Sequence, residues 1–355
     1  MEKELKKFFK DLVVAPSPSG FEQPAQEVYR NFIKEFADEV KTDVHGNVIA
    51  LKKGSGKLRF MVVGHADEIG LMVKFIDENG FIHFTMIGGV DTNILPGIRV
   101  NLYHGKKMIR GVIGRKPIHL LKQEERSKAP KLEDLWIDIG AKDKKAAEKK
   151  VSVGDHITFS PGMVTLARNI VTTKATDNKA GVYVAGALLK ELSKEKVAPN
   201  IYAVSSVQEE IGWRGARTSA FGIDPHVGIA IDVSHATDYP GMNKNVVGDI
   251  GLGKGAIIAV GANINPKVFE LLKESAQKTK VDYQIEAAPR GTGTDANAIQ
   301  TTRAGVAAGL ISIPNRYMHT PNEIISFKDL DGAVKILAEF VRMINDKTDF
   351  IPKVL

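Results

Sequence analysis

The pair Glu209-Glu210 follows an apolar run, Ile201 to Val207, and precedes Ile211-Gly212. If the strand persists through both acids, their side chains diverge by roughly 180°, leaving one free to bind a metal ion and the other to move protons. Acids at a strand mouth, wrapped in small and apolar residues, lie where an open α/β sheet takes its ligands. Four further segments put a metal-capable side chain at the edge of an apolar run or a helix: Gly64-His65-Ala66-Asp67-Glu68 after Leu58 to Val63, and Ala175-Thr176-Asp177-Asn178 before a helix. The others are Ile231-Asp232-Val233-Ser234-His235 after Val227, and Tyr317-Met318-His319-Thr320-Pro321 after Val306 to Ile313. In the His-x-Asp segment, the Asp67 carboxylate can hold the tautomer of the His65 imidazole. A pair of divalent ions in such a mixed histidine and carboxylate shell lowers the pKa of a shared water towards 7 and polarises a substrate carbonyl.

Each residue also has a plainer role. Asp177 could cap the helix that begins at Asn178, Asp232 could be a turn residue, His319 could be loop surface and His65 a core histidine. His235 sits further into its loop than Asp232 and is the weaker ligand candidate. His45, His83, His104, His119, His156 and His226 fall mostly in turns or in a β-rich segment and read as structural.

Composition narrows the chemistry. The chain has 355 residues, 43% of them hydrophobic, enough for one large domain or a large domain plus a smaller one. It has no cysteine, which excludes disulfides, thiolate zinc sites, iron–sulfur clusters and a cysteine nucleophile, and confines any metal to nitrogen and oxygen donors. The net charge is +7, but the lysines are scattered as Lys52-Lys53, Lys106-Lys107, Lys144-Lys145 and Lys149-Lys150 without interleaved aromatics, a pattern that argues against nucleic-acid binding. The amino-terminal segment Glu2-Lys3-Glu4-Leu5-Lys6-Lys7 reads as a charged amphipathic helix start rather than a signal peptide. No apolar stretch approaches the roughly 20 residues that span a bilayer, so a cytoplasmic protein that does not enter membranes is expected.

The elements that must position these residues alternate. Phe8, Phe9, Leu12 and Val13, then Val28, Phe32, Ile33 and Phe36, recur at helical spacing on either side of a break at Pro16 to Gly20. Val48 to Lys52 and Leu58 to Val63 read as strands, the second buried on both faces. From 69 to 161 short strands and turns, including Glu78-Asn79-Gly80, Pro96-Gly97 and His104-Gly105, predict a small β-rich domain. Helices at Asn178 to Leu192, Pro266 to Lys278 and Leu330 to Ile344 then alternate with strands at Ile201 to Val207, Val227 to Ile231, Tyr283 to Glu286 and Val306 to Ile313. The expected organisation is a discontinuous α/β domain, 1–68 and 162–355, interrupted by the β-rich insert 69–161. His65 lies just before the insert and Asp177 shortly after it. Gly291-Thr292-Gly293-Thr294 is a short loop, unlike a nucleotide-binding glycine fingerprint.

From Leu5 to Ile344 the chain resembles the TET (tetrahedral) aminopeptidases, dinuclear metallo-aminopeptidases whose members have also been labelled cellulase M-like. The resemblance rests on Gly64-His65-Ala66-Asp67-Glu68-Ile69-Gly70, Asp177-Asn178-Lys179-Ala180-Gly181, Gln208-Glu209-Glu210-Ile211-Gly212, Asp232 to Asp238, Gly293-Thr294-Asp295-Ala296 and Met318-His319-Thr320, in the family's order. It implies a large α/β catalytic domain of the zinc exopeptidase type with an inserted β-rich dimerisation domain, and two divalent ions per subunit, zinc or cobalt. One ion would be held by His65, Asp177 and Asp232, the other by Asp177, Glu210 and His319, with Asp177 bridging. Glu209 would be the general base, Asp67 the carboxylate behind His65, and Asp295 a substrate-positioning group. The implied activity is removal of N-terminal residues from short peptides, in a homo-oligomer, a dodecamer built from dimers. Asn178-Lys179 stands where many members have Asp-Arg, and Trp213 where a smaller aliphatic residue is frequent; both bear on substrate preference, for which neutral or small residues are the default expectation. A metal-dependent deacylase, a glycosidase with two opposed carboxyl groups and no metal, and a non-catalytic scaffold are the competing readings.

Overall fold

The computed structural model describes residues 2–160 and 162–352. Its centre is an eight-stranded mixed sheet in the order Glu39–Thr42, Val48–Lys52, Asn200–Ser206, Arg59–His65, Val227–His235, Ala307–Asn315, Ala256–Gly261, Tyr283–Ala288. Asn200–Ser206, Arg59–His65, Val227–His235 and Ala307–Asn315 run parallel to one another, and antiparallel pairings with Val48–Lys52 and Ala256–Gly261 flank them. Alternate residues face opposite layers, as strand geometry requires. Phe60, Val62, Ile229 and Ile231 pack under Lys3–Val14, Gln23–Ile33, Thr176–Leu192 and Phe327–Met343. Met61, Val63, Ala230 and Leu310 pack under Arg214–Ile223 and Asp295–Gln300.

The segment after His65 leaves this sheet. Gly70–Ile76, Ile82–Ile87, Leu135–Asp138, Lys107–Arg115, Arg99–His104 and His156–Phe159 close into a six-stranded barrel in that spatial order. Leu71, Phe84, Leu102, Ile137 and Ile157 fill it with a core separate from that of the large sheet. The change of domain expected after residue 161 falls on a residue outside the described ones. The chain returns through a three-stranded antiparallel sheet, Val164–Ala167, Ile170–Thr173 and Glu323–Ser326. No helix among the described residues is long and apolar enough to cross a membrane.

Several local expectations shift. The strand before Glu209 ends at Ser206, and Gln208 adopts a left-handed φ of 57°, so the two acids occupy a turn rather than opposite faces of a continuing strand. The backbone oxygen of Glu209 accepts from Gly212 N–H (2.8 Å) and Trp213 N–H (3.0 Å), which closes that turn. Asp177 does not cap its helix: Ala175 precedes the helix with φ 58°, and Asp177 and Asn178 have non-helical backbone within its first turn, joined by a cis peptide bond. Asp232 belongs to the strand Val227–His235 rather than to a turn. On Gln23–Ile33 the buried face is Ala25, Gln26, Tyr29 and Ile33, leaving Val28 and Phe32 partly exposed.

Candidate functional site

The carboxyl ends of four parallel strands deliver most of the site, as an open α/β sheet favours. Ser206 lies in register with His65, and Asp232 with Ser312. Thr176–Leu192 carries Asp177 across these strand ends, and glycine permits the approach. A Cβ at Gly64 would lie 2.3 Å from the Gly181 carbonyl carbon, and one at Gly181 would lie 2.5 Å from the Ile231 oxygen. Asn178 completes the contact, its Nδ2 donating to the Ile231 oxygen (2.7 Å) and its Oδ1 accepting from Gly181 N–H (2.8 Å).

Two histidines face Asp177 from opposite sides. His65 Nε2 is 3.2 Å from Asp177 Oδ1, while His319 Nε2 is 3.3 Å from Asp177 Oδ2. Around His65 Nε2 lie Glu209 Oε2 at 3.7 Å and Asp232 Oδ1 at 3.9 Å. Glu210 Oε2 lies 3.6 Å from His319 Nε2. Two groups of donor atoms result, one around His65, Glu209 and Asp232 and one around Asp177, Glu210 and His319.

Both imidazoles are set as ligands would be. His65 Nδ1 is 3.1 Å from the Asp67 backbone oxygen, and His319 Nδ1 is 2.8 Å from the Gly89 oxygen. A carbonyl only accepts, so each Nδ1 donates its proton there and each Nε2 is left to face the carboxylates, where a bound cation would take the place of its proton; the hydrogen bond to Asp177 holds the His319 imidazole up to about 9. The Asp67 carboxylate approaches His65 Nδ1 only to 3.4 Å. Its hydrogen bonds come instead from Glu209 N–H (2.9 Å), Glu210 N–H (3.1 Å) and Ser19 Oγ–H (2.7 Å). Asp67 thus fixes the turn that presents both glutamates, a role the His-x-Asp spacing did not suggest.

Carboxyl groups outnumber the two histidines in this space. Among the described residues, no lysine or arginine lies within ion-pair distance of Asp177, Glu209, Glu210, Asp232 or Asp295. Burial pushes the Glu209 carboxyl up to about 10 and Asp232 up to about 8; in both cases His65 opposes the shift and neighbouring acids add to it. Burial likewise raises Glu210, with Asp177 adding. Acids that raise one another's proton affinity in this way form a site whose charge a divalent cation would balance. The donor set also fits. Tetrahedral coordination with bonds near 2.0–2.1 Å puts neighbouring ligand atoms about 3.3 Å apart, and both Asp177–histidine separations are close to that value.

Asp295 stands behind this cluster. It opens the helix Asp295–Gln300, accepts from Ser206 Oγ–H at 2.7 Å through Oδ2, and keeps Oδ1 buried with no protein partner. His235 lines the cavity but belongs to neither donor group. Most other histidines are engaged elsewhere or exposed, while His45 keeps a buried Nε2 without a protein partner. His104 pairs with Asp155, His156 stacks on Phe21, His226 Nδ1 accepts from Arg59 N–H, and His119 is exposed on the barrel.

Sequence reasoning missed Glu323. Its Oε2 accepts from Thr176 Oγ–H (2.6 Å) and Asp177 N–H (3.0 Å), and its Oε1 from His319 N–H (3.0 Å). One buried carboxylate therefore ties together the backbones of two site residues. The available signal was an acid abutting the apolar pair Ile324-Ile325 four residues after His319.

The cavity over these groups has a volume of about 600 Å³ and is lined by His65, Asp177, Glu209, Glu210, Asp232 and His319 on one side. Residues 46–336 match the M42 glutamyl aminopeptidase family. The chain belongs to this family. Membership makes it an aminopeptidase, a peptide hydrolase, and sets aside the glycosidase and scaffold readings. Among curated relatives, a lysyl aminopeptidase of Pyrococcus furiosus is 37% identical over 97% of this chain and 98% of its own length. Among solved structures, an aminopeptidase from the archaeon Desulfurococcus kamchatkensis superposes with a TM-score of 0.89 at 38% identity, covering 96% of this chain and 95% of its own. A Pyrococcus horikoshii TET1 peptidase, which can assemble into a tetrahedron or a large octahedral shell, gives 0.86 at 29% identity over 96% of this chain and 100% of its own. The TET resemblance and the mixed α/β architecture with a small inserted barrel thus agree with these M42 relatives.

Proposed function

We propose that the site is a dinuclear metal centre that removes the N-terminal residue of short peptides. The observation carrying this reading is the division of one carboxylate between two histidines, Oδ1 of Asp177 towards His65 and Oδ2 towards His319. His65, Asp177 and Asp232 would hold one ion, and Asp177, Glu210 and His319 the other. Nitrogen and oxygen donors without thiolate suit zinc or cobalt. Bound there, the ions supply Lewis-acid polarisation of the scissile carbonyl and a more acidic water. Glu209 takes the proton from the attacking water on its carboxylate and delivers it to the leaving amine nitrogen as the C–N bond breaks. Glu209 Oε2 also lies within reach of the first ion, 3.7 Å from His65 Nε2 against 3.9 Å for Asp232 Oδ1, so metal retention in a Glu209 variant is what separates a base from a ligand. Asp67 orients Glu209 through its backbone amide, whereas Asp295, expected to position substrate, is buried against Ser206 and does not line the cavity, so it supports the strand ends rather than touching substrate.

The decisive experiment is Glu209→Gln, followed by metal analysis and peptide turnover. Two ions per chain should remain while kcat falls by about 10²–10⁴-fold. Loss of one ion would make Glu209 a ligand instead, and wild-type turnover would remove it from the mechanism. Chelation should abolish activity in the wild type, and zinc or cobalt should restore it.

The insert 69–161 is assigned as the dimerisation domain, and dimers as the unit of a dodecamer with closed symmetry. The relatives' names divide between lysyl and glutamyl substrates, so they leave the preferred side chain to be argued from the cavity wall.

A further inference from the structure

We propose that Glu286 makes this enzyme selective for N-terminal residues with cationic side chains, lysine and arginine. The inference rests on the proposed aminopeptidase centre and concerns another part of the lining of the same cavity. Glu286 lies on Tyr283–Ala288 and lines that cavity together with Ser234, Ala259, Leu310 and Trp213. Ser234 stands two residues beyond Asp232 on one strand. The two therefore face the same side, with Ser234 about 7 Å farther along. Ser234 Oγ–H donates to Glu286 Oε1 at 2.8 Å. A hydroxyl fixes a carboxylate without neutralising it, and no lysine or arginine lies within ion-pair distance of Glu286 among the described residues.

Among the described residues the cavity wall contains no lysine or arginine, and Ala259 and Leu310 give it small or apolar surface beside Ser312. An unbranched aliphatic stem can therefore lie along the floor and bring a cation to Glu286. A lysyl side chain reaches about 6 Å from Cα to Nζ when extended, comparable to the offset between Asp232 and Ser234. Trp213, anchored by Nε1–H donation to the Gly293 oxygen at 3.3 Å, adds an aromatic ring to the same cavity, and aromatic rings attract cations. A glutamyl or aspartyl side chain would instead meet a like charge with no lysine or arginine in the described lining to offset it, the repulsive half of a specificity device. This departs from the neutral or small residue that is the default expectation.

The test compares kcat/KM for lysyl-, arginyl-, norleucyl- and glutamyl-p-nitroanilide with the full chain reconstituted in zinc or cobalt. Norleucine matches the lysine stem without its charge. The lysyl-to-norleucyl ratio should be at least ten, and Glu286→Gln should lower it at least tenfold. Equal rates on lysyl and norleucyl substrates, a preference for glutamyl, or a ratio unchanged in Glu286→Gln would overturn the assignment. Calorimetric binding of lysinamide and norleucinamide to the metal-loaded Glu209→Gln protein, with and without Glu286→Gln, reads the same ratio without turnover. Inactivity on all four substrates would thus remove the catalytic reading, while the binding ratio would still decide the role of Glu286.

Discussion

Glu323 touches both halves of the site through backbone amides, so its loss should loosen Asp177 and His319 together. In Glu323→Ala the affinity for the second ion should fall about 10–100-fold, the usual effect of removing a group that orients ligands, and excess metal should recover much of the activity. Chelator competition measures this directly; an unchanged affinity would make Glu323 merely structural. Asp67→Ala should act differently, because Asp67 holds the turn bearing both glutamates. It should lower kcat more than metal affinity, since Glu209 would lose its orientation while Asp177 and both histidines stay in place. At this scale the sequence was informative where chemistry interrupts an apolar run: His65, Asp177, Glu210, Asp232 and His319 all converge on one space. The partners were not legible. Ser19 reaches Asp67 from 48 positions away and Glu323 reaches Thr176 from 147, and no local spacing encodes contacts made only by tertiary folding.

The return segment from the barrel is anchored beside the site by a buried charge group. Glu68 accepts from Lys174 Nζ at 2.5 and 2.6 Å, from Lys179 Nζ at 3.2 Å and from Ser17 N–H at 2.9 Å. Burial opposes ionisation of Glu68, but Lys174 and Lys179 together hold its carboxyl below the usual range. Burial pushes Lys179 down to about 7, with Lys174 adding repulsion while Glu68 opposes. Glu68→Gln should cost about 3–5 kcal/mol at neutral pH, because it leaves buried ammonium groups without their counter-ion. A depressed carboxylate contributes stability above its unfolded pKa and loses it as pH falls through the folded value. The gap between wild type and Glu68→Gln, measured by denaturant midpoints, should therefore be full near pH 7 and shrink on acidification below the ordinary glutamate range. Elements with strong apolar patterns, such as Val48–Lys52 and Pro266–Thr279, were legible to within a residue or two. Ala256–Gly261 was missed, although Ala-Ile-Ile-Ala-Val is as apolar as its neighbours. A short run bounded by glycine becomes identifiable as a strand only through its pairing with Ala307–Asn315 and Tyr283–Ala288.

For the whole molecule, the barrel exposes apolar side chains that a lone chain would leave in water. Ile118 and Leu120 are 60% and 64% exposed on one short turn, and clustered exposed apolar groups commonly mark an association surface. Light scattering should find a particle near twelve times the 38.7 kDa chain. The double variant Ile118→Lys and Leu120→Lys should shift it to smaller species if this turn takes part in assembly; an unchanged mass would place the contacts elsewhere. The alternation of α/β segments around a β-rich stretch was legible in the sequence. The closure of that stretch into a barrel was not, because closure depends on pairing Gly70–Ile76 with His156–Phe159, strands separated by most of the insert.

The barrel also reaches back into the chemistry. The Gly89 oxygen that sets the tautomer of His319 lies just beyond the barrel strand Ile82–Ile87, and a Cβ at Gly88 would come within 3.2 Å of Glu210 Oε2. The module assigned to assembly thus supplies part of the wall around the second donor group. Excising residues 70–159 would remove the acceptor of His319 Nδ1, so the two modules are coupled through this contact. A chimera carrying another insert would have to bring its own carbonyl to the same point, and the insert and the catalytic sheet are therefore expected to be inherited as one unit.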